Sequence, residues 1–140
     1  MEHAIGTQQV TRSGSLGRSV AAVLAGFVAI VVTHTGTDAV MHATGVFPKA
    51  GVVMGGGLFA WAATYRLVFE VLGAALTARL APQRPLKHAL VLGGIGAAAS
   101  FAGLLATYGR GPEFGPLWYP LVLVVTALPC CWLGAKLAAR

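Results

Sequence analysis

Apolar positions along this chain fall in long uncharged blocks. With histidine counted as neutral inside a block, Ser19–Thr37 spans 19 residues, Ala89–Gly109, taken from the residue after His88, spans 21 and Phe114–Ala135 spans 22. A further block, Ala50–Tyr65, is 16 residues long and resumes at Val71–Ala78 after Arg66 and Glu70. About 20 apolar residues cross a bilayer core as a helix. Backbone N–H and C=O groups have no water partners in lipid, which makes helices the economical spanning form. The pattern predicts four transmembrane helices, at about residues 19–44, 55–78, 88–109 and 117–136.

Breakers separate the blocks. Gly45 and Pro48 end the first, Pro82 and Pro85 mark the second turn, and Gly109, Gly111, Pro112, Gly115 and Pro116 mark the third. Short connections force antiparallel neighbours. The expected fold class is an all-α membrane protein, a four-helix up-down bundle over residues 19–140. Residues 1–18 are polar, contain Gly and Ser, and are expected to form a disordered tail.

Composition sharpens this reading. The 140 residues are 56% hydrophobic and 10% charged, with mean hydropathy +0.75. A soluble domain carries about 25% charged residues. One charge in ten cannot cover a water-facing surface, and the same apolar share excludes disorder. The formal charge of +6 raises the question of nucleic acid. The cations sit between apolar blocks, not on one patch interleaved with aromatics, so no nucleic-acid partner is expected.

Those cations orient the bundle instead. Arg12, Arg18, Arg79, Arg84, Lys87, Lys136 and Arg140 fall on one side of the alternating helices, against Lys49 and Arg110 on the other. Lys and Arg favour the cytoplasmic side, which places both termini there. A cleaved signal peptide over residues 12–37 is the competing reading. No A-x-A-like site follows it, and His34 and Asp38 occupy positions where small neutral residues are needed. Cys130 and Cys131 are adjacent inside an apolar block, read as small apolar groups rather than as a disulfide or metal pair.

Small residues recur at helix-seam spacing: Ala22 with Gly26, Gly73 with Thr77, Gly96 with Ser100, and Ala99 with Gly103. Lipid gives no hydrophobic drive for association, so such positions carry close packing. The third helix is the slimmest and is expected at the centre. Gly94-Ile95-Gly96-Ala97-Ala98-Ala99 matches a dinucleotide fingerprint in letters alone, since no strand precedes it. Gly55-Gly56-Gly57 lacks the Lys-Ser/Thr of a phosphate loop and reads as a flexible helix entry. Pro129 is expected to kink the fourth helix, and Trp118 and Tyr119 to join an interfacial belt.

A few polar side chains remain inside the hydrocarbon. Arg66 lies about 20 Å and Glu70 about 14 Å from the cytoplasmic boundary at Arg79. Four residues apart, they are expected to share a face and form a pair. His34, Asp38 and His42 form one stripe on the first helix. His34 is about 22 Å and Asp38 about 28 Å deep from Ser19. A cluster of His34, Asp38, Tyr65, Arg66 and Glu70 is therefore expected in the outer half. Three readings stand. The first is an interhelical salt bridge, Asp38 to Arg66, that fixes register. The second is a proton or ion relay. The third is a metal set of His34, Asp38 and His42, against which three turns span too far for one ion.

Several motifs are familiar: Thr35-Gly36-Thr37-Asp38, His42 through Pro48, Tyr65-Arg66, Thr77 through Pro82, His88-Ala89, Leu92 through Gly96, Trp118-Tyr119-Pro120 and Ala127-Leu128-Pro129. Over most of residues 20–135 the chain resembles a group of small inner-membrane proteins of Gram-negative bacteria with no assigned activity. The resemblance implies a fold and no mechanism. No nucleophile with base and orienter, no paired cytoplasmic carboxylates and no closed metal set occur. The expected function is a non-enzymatic accessory or assembly component without a cofactor. It would be oligomeric or part of a larger membrane complex through its Gly/Ala seams. A small proton- or ion-coupled transporter or channel subunit is the alternative.

Overall fold

The computed structural model describes the backbone from Glu2 and the side chains from Gly14 to Arg140. The described residues form four long helices and no strand. They are α1 (Glu2–Ala43), α2 (Gly56–Leu80), α3 (Pro85–Thr107) and α4 (Trp118–Ala138), with a short 3-10 turn at Pro112–Phe114. All four helices are long and apolar enough to cross a membrane. The tail expected to be disordered over residues 1–18 instead has helical backbone from Glu2, as the first turns of α1, with its side chains described from Gly14. The helix ends otherwise differ from the sequence reading by one to three residues; the largest of these differences is at α3, which starts at Pro85, where the missing N–H is harmless.

Contacts between the helices give their directions. Thr77 meets Ala22 and Arg66 meets His34 and Asp38, so α1 and α2 run antiparallel. Gly93 lies against Ala127 and Cys131 on α4. Phe59 stacks near Tyr119 and Ala74 lies against Gly134, so α2 and α4 are parallel.

The central helix is α2, not α3. It packs on α4, α1 and α3 and holds the most buried side chains, whereas α3 leans mainly on α4 and scarcely meets α1. The reason is chemical. α2 carries Arg66, Glu70 and Thr77, which must face protein rather than lipid on several sides. α3 is slim all round and presents no face that demands cover.

The interior is built from small side chains. One cluster, near the Arg79–Lys87 end, comprises Ala74, Ala78, Ala89, Leu92, Cys131 and Ala135. A second, at the opposite end, joins Phe47, Ala62 and Tyr65. Between α1 and α2 there is no space for added carbon. A β-carbon on Gly26 would stand 2.7 Å from the Gly73 carbonyl oxygen and would overlap the Thr77 hydroxyl. Thr77 is fully buried, and its Oγ1 donates to the Ala22 carbonyl at 3.0 Å. The seam residues Ala22, Gly26, Gly73 and Thr77 thus meet one another. Of the α3 set, Gly96 faces Glu70, Ser100 is half-buried, and Gly103 has nothing within 4 Å of its β-carbon position. Gly93 and Gly134 make close seams that the spacing did not single out. α4 continues as helix through Pro129.

Candidate functional site

The polar residues gather at the end of the bundle opposite the Arg79–Lys87 turn. The segment after α1 builds the roof. Gly45 takes a left-handed φ of 77°, and the Phe47 N–H returns to the Met41 carbonyl at 2.9 Å. This turns Phe47 inward, where it is 4% exposed beside Ala62 and Tyr65. His42 holds the turn by donating from Nδ1 to the Pro48 carbonyl at 2.9 Å, with its ring edge-on to Phe47.

Beneath that roof Asp38 is the hub. One carboxylate oxygen accepts from the Tyr65 hydroxyl, and the other accepts from Nη2 of Arg66 in a salt bridge. Consecutive residues on α2 therefore grip one side chain of α1. The Arg66 guanidinium also stands 5.8 Å from the centre of the Tyr119 ring, a cation–π distance. One turn deeper, Nε2 of His34 donates to the Arg66 carbonyl at 3.1 Å. Phe69 lies beside both His34 and Tyr65.

The salt bridge is not sealed by packing. It forms part of the floor of a cavity of about 350 Å3 between the residue 48–54 segment and the Glu113–Phe114 turn. Lys49, Glu113 and His42 line its mouth, and Phe59, Ala62 and Tyr119 its apolar wall. Gly115, at φ 91°, lies flat against the Phe59 ring where a β-carbon would overlap it. Ligand sites of this size are commonly apolar with a few placed polar groups.

Glu70 departs from the expected arrangement. It does not pair with Arg66. Arg66 reaches toward α1, whereas Glu70 is 9% exposed and lies toward α3, with its Oε1 3.1 Å from the β-carbon position of Gly96. Among the described residues it has no hydrogen-bond or ion-pair partner. Two positions four apart are offset by about 40° around a helix. That offset, with side chains of unequal length, suffices to send them to different neighbours.

His34, Asp38 and His42 are each engaged separately, on the Arg66 carbonyl, the Tyr65–Arg66 pair and the Pro48 carbonyl. Among the described residues no three His, Cys, Asp or Glu side chains gather as a metal site requires. Phe47, Phe59 and Tyr119 escaped the sequence reading as site residues. Tyr119 turns under Arg66 while its neighbour Trp118 stays exposed. Comparison with known protein families, curated proteins and solved structures finds no match for this chain, so the geometry alone carries the functional reading.

Proposed function

We propose that this multi-pass protein resides in a bacterial inner membrane with both termini cytoplasmic. It serves there as a non-enzymatic accessory or assembly component whose polar cluster is a structural clamp. The observation that carries this reading is the double grip of Tyr65 and Arg66 on Asp38. A carboxylate held by two donors from the neighbouring helix fixes the register of α1 on α2. The Gly26–Gly73 contact then closes the same interface deeper in the bundle. The split of seven cations against two supports the orientation. The uncovered Ala99–Gly103 face of α3 supports assembly with a second copy or a larger complex.

A small proton- or ion-coupled transporter is the second reading, favoured by one observation. Glu70 is an unpartnered carboxyl within the bundle, and such groups mark relays in membrane proteins. The deciding experiment is proton flux in liposomes containing the full chain. No flux, with Asp38→Asn destabilising the fold, supports the clamp. Flux that Glu70→Gln abolishes in a normally folded protein supports transport.

A further inference from the structure

The loose contact between α1 and α3 leaves a groove of about 590 Å3 at the Arg79–Lys87 end of the bundle. Its lining changes character along its length. At the bundle end stand Arg84 and Lys87, with Ser15, Ser19 and Gln83 beside them. Deeper in the hydrocarbon the walls are Val20, Val23 and Leu24 on α1 and Val91 and Ile95 on α3. α1 and α3 run the same way from this end, so both walls pass from polar to apolar together. Lys87 to Ile95 covers about 12 Å of helix. Among the described residues the lining includes no carboxylate.

The turn is built to hold the cations there. Arg84 adopts a left-handed φ of 47°, the one non-glycine residue with positive φ among those described. Its carbonyl accepts from the Lys87 N–H at 3.0 Å and from His88 Nδ1 at 3.2 Å. His88 thus braces the turn, and Arg84 and Lys87 stay exposed at the groove's rim.

A site with two cations over an apolar trough fits one kind of molecule in a bilayer. We infer that this groove binds an anionic phospholipid, its phosphate between Arg84 and Lys87 and one acyl chain along Val20, Leu24, Val91 and Ile95. This goes beyond the accessory reading and rests only on the helices lying in a membrane. A second helix would find two charged side chains at one end of its seat and no counter-charge to meet them. A lipid phosphate supplies that charge.

Native mass spectrometry of the full chain in detergent, with equal phosphatidylglycerol and phosphatidylcholine added, tests the assignment. Each cation contributes roughly 5-fold, so the wild type is expected to retain phosphatidylglycerol with roughly 25-fold preference. Arg84→Gln with Lys87→Gln should remove that preference. Val91→Trp, on an exposed face where folding is not at risk, should fill the trough and remove bound lipid of both kinds. Arg110→Gln at the other end should change nothing, and inorganic phosphate should not displace the lipid. Equal retention of both lipids by the wild type overturns the proposal. So does an unchanged preference in the double variant, undiminished binding in Val91→Trp, or displacement by free phosphate.

Discussion

Glu70 stands against Gly96: its Oε1 lies 3.1 Å from the point where a β-carbon on Gly96 would be. The neighbour here is the far end of a flexible side chain, whereas at Gly26 it includes the Gly73 backbone carbonyl at 2.7 Å. The two glycines should therefore respond differently to one added carbon. Gly96→Ala should change stability by less than about 1 kcal/mol, because Glu70 can shift and alanine favours the helix. Gly26→Ala should cost about 2–3 kcal/mol, since α1 must move off α2. Unfolding by SDS in mixed micelles measures both, and equal losses would contradict the packing described.

Asp38 and Arg66 give a sharper test, because the clamp predicts coupling. Asp38→Asn leaves the guanidinium without its counter-charge, and Arg66→Gln leaves the carboxylate without its cation. Breaking one side of a buried pair costs about 3–5 kcal/mol, and the cavity above this one should reduce that to about 2–3 kcal/mol. The double variant should regain much of the loss, since neither charge then stands alone. Thermal unfolding of the four proteins gives the coupling energy. Additive losses would remove the salt bridge from any role in holding the helices.

Much of this arrangement can be read from the chain. Uncharged blocks of 19–22 residues between Gly/Pro turns determine the helices. Depth counting sets Arg66 level with His34 and near Asp38, because helix rise is constant. Ala22–Gly26 and Gly73–Thr77 are legible because α1 carries only Gly26 and Gly36 beyond residue 18, and α2 only Gly73 beyond Gly57, so a glycine there picks out the seam. The same spacing fails on α3, where glycine and alanine occur on every face and spacing cannot say which of them a neighbour covers. Gly93 is used while Gly103 is open. The inward turn of Phe47 depends on a left-handed Gly45 that the pattern shows only as a breaker. The separate path of Glu70 depends on tertiary neighbours, which no spacing on α2 encodes.

Gly103 offers a test of assembly. Its β-carbon position is clear of this chain's own atoms, and Ala99 one turn away is also exposed. Gly103→Leu should leave the monomer's stability within about 0.5 kcal/mol, as surface changes usually do. If this face forms the contact between copies, the same variant should shift the protein to monomer in chemical crosslinking and in light scattering with detergent subtracted. An unchanged oligomer would move the contact to another helix.

Orientation is the last and most direct prediction. Fusing a reporter at residues 50, 83, 112 and 140 should give external, cytoplasmic, external and cytoplasmic signals. The basis is the distribution of loop cations: Arg79, Arg84 and Lys87 flank the turn at residue 83, whereas Lys49 alone precedes residue 50 and Arg110 alone precedes residue 112. Translocating a juxtamembrane Lys or Arg is the disfavoured event. Replacing the three basic residues of the middle turn by Gln should therefore weaken the preference and yield a mixed signal at residue 83. An external reading there in the unaltered chain would invert the bundle and put the Asp38–Arg66 cavity on the cytoplasmic side.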